Sequence, residues 1–367
     1  MFEEATKFFI FKLCYSILYN RGLGSCKSVL IIGAQGANFV KKFFINITSL
    51  NFLRLFFSIM VASTKLPGNV FAASAKKVYG VVGFSKGYNF LLWLVLGGFF
   101  SSFSISRLKY LDFYGTFCGS SIPGGRDLAV PGECFYYLTQ GYYKVGIIAH
   151  LVAILPASLL ACIQFIPVVR RKAMRMHRIL GWITVALSVP GAITAVMIAP
   201  RSQGGGLDTQ SMVGVLGVMF LFSLARGCIS AKKHKIAEHR AWMLRAWVYS
   251  GAILTMRVIM MVLVVVISLI GGFYYVEPCD KINFILKGEN ATLAAYPDCA
   301  PFFSGDDLNR HIAVPATVFN RKNPVQVGAA LNFVFGTSGW MSIFLNTLGV
   351  ELYLRSGSSQ HSVKKSN

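Results

Sequence analysis

The chain has 367 residues, of which 54% are hydrophobic and only 14% charged. Mean hydropathy is +0.57, and soluble domains carry about 25% charge, so a large soluble core is excluded as the main product of folding. The formal net charge of +22 would suit nucleic acid, but the Lys and Arg residues fall in short clusters between apolar runs, the membrane arrangement. No nucleic-acid partner is expected, and the lipid bilayer is.

Residues 1–59 carry basic and Phe-rich patches without a clear cleavage site, and lack the Arg and Ser richness of a mitochondrial signal. They are read as an N-terminal extension of uncertain status, with Met60 opening a more orderly segment. The stretch Phe43 to Ala62 is apolar but holds Arg54, and reads as a seventh span, an interfacial helix or a targeting segment. A span needs about 20 apolar residues. Six are expected, near 87–106, 143–169, 179–199, 211–231, 247–272 and 326–354, the first diluted by Gly and Ser. The expected fold is all-α: a multi-pass membrane domain over 60–355 with its core at 143–272, then a cytosolic tail over 356–367.

Two loops carry the basic clusters. One holds Arg170, Arg171, Lys172, Arg175, His177 and Arg178; the other holds Lys232, Lys233, Lys235, His239, Arg240 and Arg245. Both fall on one side, which the positive-inside rule makes cytosolic. Lys76, Lys77, Lys86, Lys364 and Lys365 agree, whereas Arg107 and Lys109 fall on the other side. The opposite face receives ten of the fourteen carboxylates and Cys118, Cys134, Cys279 and Cys299. Four such cysteines allow two disulfides in three pairings. Asn290-Ala291-Thr292 on that face is a glycosylation sequon. These clues point to the endoplasmic reticulum or another secretory-pathway membrane.

Spans two to five read as a duplicated hairpin, a four-helix core. Each half runs apolar helix, basic loop, then a His-Arg pair opening the next helix: His177-Arg178 before Gly181-Trp182, and His239-Arg240 before Trp242. Both histidines are expected near the cytosolic interface. Trp182, Trp242 and Trp247 suit interfacial anchoring, and Arg178, Arg240 and Arg245 suit lipid phosphate. Arg257 is placed about ten residues, ~15 Å, into span five. Such a residue should face the bundle interior and have a partner or an anionic ligand.

Three chemistries fit these residues, beside the alternative of a non-enzymatic lipid-binding membrane protein. A b-type haem can be held by histidines on facing helices; His177 and His239 are placed for one, while His150, ~10 Å into span two, lacks a histidine partner in span four. A metal site from Glu238, His239, His234 and His177 is weaker, because i, i+5 spacing does not put His234 and His239 on one helix face. The third is acid–base chemistry on a lipophile, with a carboxyl held protonated in a dry pocket. Asp208, after Gly204-Gly205-Gly206, and Glu238 beside His239 are the candidates; against this, Asp208 suits a helix cap and Glu238 a solvated neighbour of basic residues.

The stretch from Gly141 to Met261 resembles a fungal multi-pass membrane family whose domain has no assigned function. The resemblance rests on His150, Pro156, Gln164-Phe165, Pro167, His177-Arg178, Gly181, the Gly204–Gly206 turn, Arg257 and, above all, His239-Arg240-Ala241-Trp242-Met243-Leu244-Arg245-Ala246-Trp247. Outside that stretch, Pro278-Cys279-Asp280 and Tyr296-Pro297-Asp298-Cys299 are also similar. The likeness extends, less specifically, to the membrane-bound terpene cyclases of the ascofuranone and macrophorin type. It implies cyclisation of a farnesylated aromatic or quinone-like substrate, without redox change and without a cofactor. The resemblance assigns no catalytic residue. The residues expected to touch such a lipophile are Arg257, His150, His177, Arg240, Trp242 and Arg245.

Overall fold

The computed structural model describes residues 79–119, 127–320 and 322–363. The extension over 1–59, the stretch Phe43 to Ala62, and Lys76, Lys77, Lys364 and Lys365 lie outside them. Among the described residues six helices are long and apolar enough to cross a membrane: Gly87–Leu111, Gly141–Gln164, Met174–Arg201, Leu207–Lys232, Ile236–Ile270 and Pro324–Ser356. The chain is a multi-pass, predominantly α-helical membrane protein.

Two boundaries differ from expectation, each for a local reason. The second span stops at Gln164 because Pro167 disfavours helical backbone at Ile166 (ψ 121°). Pro167 then opens a separate short helix, Pro167–Lys172, at whose first position it costs no hydrogen bond. The fifth span starts at Ile236, eleven residues before the apolar run begins. Its first part, Ile236–Ser250, is too polar to register as a span by composition, and a bend at Gly251 joins it to Ala252–Ile270. Asn346 of the sixth span braces that bend. Its Nδ2 donates to Val248 O (2.8 Å) and its Oδ1 accepts from Thr255 Oγ1 (2.9 Å). A backbone carbonyl freed inside a bilayer needs such a partner.

The sixth span is the axis of the bundle: 67% of its most apolar window is buried, against 6% for the first span. It also continues as helix to Val363, past the expected start of the tail. Small residues let the helices approach closely. Gly339 leaves room for Met212, and Gly146 for Ile198. Ser104 and Ser158, both buried, join the first and second spans at 2.7 Å.

The disulfide end carries a folded cap that composition did not reveal. Strands β1 (Tyr274–Pro278) and β2 (His311–Pro315) pair antiparallel, so the fold is not purely helical. Of the three possible cysteine pairings the structure has Cys118–Cys134 and Cys279–Cys299. Asn290 is exposed in the short helix Glu289–Ala295, while Thr292 is buried and donates to Gly288 O at 2.9 Å.

The turn between spans three and four depends on glycine. Gly204 and Gly205 have φ of +83° and +64°, and a Cβ on Gly205 would land on the Pro200 carbonyl. Gly205→Ala is therefore expected to destabilise the protein by roughly 1–3 kcal/mol. Thermal unfolding in detergent measures this, and an unchanged midpoint would show that the turn can rearrange.

Candidate functional site

The polar residues of interest gather at the disulfide end of the bundle. The Cys118–Cys134 bond ties the helix Glu133–Thr139 to the segment after span one. Asp112 shapes that segment by accepting from Gly115 N (3.0 Å) and Thr116 Oγ1 (2.9 Å). Gly132, at φ +84°, turns the chain into the helix where a Cβ would strike Lys281 and Ile285. The next residue is Glu133, whose Oε1 accepts from Tyr137 (3.1 Å) and from Ser202 at the end of span three (3.3 Å). Burial pushes the Glu133 carboxyl above the ordinary range, with Arg257 pulling the other way. Burial and the neighbouring Glu133 also push the Tyr137 hydroxyl up, so it stays a donor.

Arg257 reaches the same place from span five. With the span starting at Ile236, it stands 21 residues in, about 30 Å by helical rise, so it belongs to the disulfide half of the bundle. Its Nε is enclosed and has no hydrogen-bond partner. Its guanidinium carbon lies 5.5 Å from the Phe335 ring centroid. The charged neighbours acting on it are Arg107 and Glu133. Arg107 hydrogen-bonds Tyr110 and packs over Phe103 (5.1 Å) and Tyr110 (4.9 Å). This explains a basic residue on the face that charge counting made acidic. Glu133 and Arg257 are both partly buried. Gln203, adjacent to Ser202 in the chain, is 4% exposed with Oε1 unpartnered.

A second polar group underlies the cap. Lys281 and Glu277 form an ion pair at 2.6 Å with both side chains 4% exposed, and Asn332 Nδ2 donates to Glu277 at 2.9 Å. Lys281 and Arg201 lie over the Tyr136 ring at 5.7 and 4.8 Å. Burial and Glu277 push the Tyr275 hydroxyl up to about 12, and it donates to Gly204 O at 3.1 Å. Asp208, in the first turn of span four, acts on Tyr275 electrostatically and rests against Gly336, where a side chain would displace its carboxylate. Asp208 itself is exposed.

The other residues singled out by sequence lie elsewhere. Glu238 is exposed, paired with Lys235 at 3.1 Å, and accepts from Ser230 at 3.4 Å. His239 Nδ1–H donates to Gly227 O at 2.9 Å, and His150 Nδ1–H to Gly191 O at 2.8 Å. His177 meets Gln164, whose amide donates to His177 Nδ1 and to its carbonyl (3.1 Å). His177 and His239 do come near one another, but in opposite tautomers. His177 then presents Nε2–H, so a haem between them would require the Gln164 amide to turn over and His177 to change tautomer. Arg245 is committed to Glu351 of span six, at 2.6 Å (Nε) and 3.0 Å (Nη2), and stacks on Trp242 at 4.7 Å. Arg240 is exposed and shares its region with Arg170, whose guanidinium pKa is lowered by burial and by that neighbour. The candidates therefore divide between two ends: Arg257 and Asp208 at one, His177, Glu238, His239, Arg240, Trp242 and Arg245 at the other. Among the described residues no three His, Cys, Asp or Glu side chains gather as a metal site.

Fold and site define a multi-pass helical membrane protein with a partly buried carboxyl and guanidinium near one another at its disulfide end. A family model described as "Predicted membrane protein (DUF2306)" matches residues 147–276. Ava biosynthesis cluster protein G of Aspergillus versicolor is 28% identical over 162 residues, covering 38% of this chain and 45% of that protein. The match thus spans less than half of the relative's length. No solved structure matches. The segment matched by the family model contains Arg257, Ser202 and Gln203 but not Glu133 or Arg107.

Sequence reasoning passed over Glu133, Tyr137 and Ser202, and read Arg107 only as an exception to the charge pattern. One signal was available: Glu133 directly precedes Cys134, and a residue beside a bridged cysteine is held in place by the bond.

Proposed function

We propose that the protein is a membrane-bound enzyme of secondary metabolism that cyclises a prenylated lipophile, with Glu133 as the proton donor. The observation that carries this reading is the partly buried Glu133 carboxyl at the end of the bundle, raised in pKa by burial and within electrostatic reach of Arg257. A neutral carboxylic acid in a dry site can protonate an alkene or an epoxide oxygen. The resulting cation is attacked by the next double bond, forming a ring, and the last cation returns a proton to the Glu133 carboxylate. Atoms balance, and nothing is oxidised or reduced. Phe335 lies by Arg257, and Phe117 lies 6.1 Å from the ring of Tyr137; such rings can stabilise cations by their faces.

The printed name of the Aspergillus versicolor relative, which places it in a biosynthesis cluster, supports the setting but not the reaction. Two disulfides and an exposed Asn290 on one face, with basic clusters on the other, support residence in a secretory-pathway membrane with the site towards the lumen. The contact of each second-helix histidine with the preceding helix, His177 with Gln164 and His239 with Gly227, supports a duplicated hairpin in spans two to five.

Membranes containing the protein are to be incubated with a farnesylated phenol and with its terminal epoxide, and products analysed by mass spectrometry. A cyclic isomer of either supports the reading; unchanged substrate from both, with the protein present and folded, sinks it. The pH profile carries a second test. Only protonated Glu133 can donate, and its pKa lies above the ordinary carboxyl range. Turnover is therefore expected to hold at acidic pH and fall as pH rises through that raised value. A profile flat across that limb would remove Glu133 from the donor role.

A further inference from the structure

Arg257 has more hydrogen-bonding capacity than the protein uses. A guanidinium has five N–H donors. Among the described residues no hydrogen bond or ion pair satisfies Arg257, and its Nε is sealed from solvent without a partner. The second cation, Arg107, stands close enough to repel it. The one carboxyl facing the pair, Glu133, already accepts from Tyr137 and Ser202. With Glu133 neutral the group carries two positive charges, and with Glu133 ionised it carries one. Unpaired cations at this depth are costly and call for an anion.

We infer that Arg257 binds the carboxylate head of an amphiphile whose apolar tail lies in the bundle. The inference rests on the cyclase reading only for the prenyl character of that tail. The planar guanidinium fork matches a carboxylate with two parallel hydrogen bonds. Phe335, 5.5 Å beneath the guanidinium carbon, holds the fork flat. With Glu133 neutral, a monoanion offsets Arg257, and the second cation, Arg107, is already held by the Tyr110 hydroxyl and the Phe103 and Tyr110 rings.

The test measures binding, not turnover. Full-length protein in nanodiscs is titrated with farnesoic acid, methyl farnesoate and farnesyl phosphate, read by tryptophan fluorescence. Wild type should bind the acid on the order of thirtyfold more tightly than the ester, the size of a charged hydrogen bond. In Arg257→Gln the ratio should fall to within about twofold, with ester affinity unchanged as a check on folding. Glu133→Gln should keep the preference for the acid. Equal binding of acid and ester by wild type, a preference that survives in Arg257→Gln, or tighter binding of farnesyl phosphate than of the acid each overturns the inference. Should Arg257→Gln not fold, the wild-type ratio decides alone, a value near one overturning the inference. If the acid binds as expected and no substrate is cyclised, the cyclase reading fails and this inference stands.

Discussion

Glu133→Gln is expected to lower cyclisation by about 10²–10⁴-fold, the range that one positioned acid contributes. The substitution keeps the size of the side chain and can still accept from Tyr137 and Ser202, so the local structure should persist. What it removes is the transferable proton. Burial favours the neutral form of Glu133, and the amide is neutral too, so removing the acid costs no buried charge. The thermal midpoint should therefore stay close to that of wild type. This pattern separates a donor from a brace: a structural Glu133 would lose stability and turnover together. Asp208→Asn and Glu238→Gln, at exposed carboxylates, are the comparison. Turnover retained in Glu133→Gln and lost in either of them would move the acid elsewhere.

Lys281→Ala should be the most damaging single change in the cap. Lys281 Nζ stands 2.6 Å from Glu277, and both side chains are almost fully buried. Removing the cation leaves Glu277 with one amide donor, Asn332. Truncating one member of such a pair costs about 3–5 kcal/mol, because the other charge stays buried and uncompensated. The double variant Glu277→Gln/Lys281→Met replaces the pair with neutral groups of similar size, and should recover most of that loss. Thermal unfolding of the detergent-solubilised protein measures both. A Lys281→Ala protein as stable as wild type would mean that Glu277 reaches water or takes up a proton. Turnover should fall with stability here, since the pair supports Gly132 and the turn into Glu133.

The sequence alone determined the membrane class, the six spans and the two chemically distinct faces. Each follows from local properties: run length, apolar content and the placement of Lys, Arg and Cys along the chain. It also marked Arg257 as a residue needing an anionic partner, because the cost of a charge in lipid does not depend on fold. It could not place the residues that surround it. Glu133, Tyr137 and Ser202 come from two separate parts of the chain and meet Arg257 only after the bundle closes. The depth of Arg257 was misjudged because it was counted from residue 247, where the apolar run begins, whereas the helix already starts at Ile236. Packing also decides β1 and β2, whose antiparallel pairing joins Tyr274 to Pro315 and Pro278 to His311 across one loop. The His-Arg motifs were the most legible feature of the sequence. In the structure His239 fastens span five to span four, and His177 packs where spans two and three meet. What only tertiary structure decided is where uncompensated charge ends up. That depends on which helices touch, and contact between distant segments leaves no local trace in the chain.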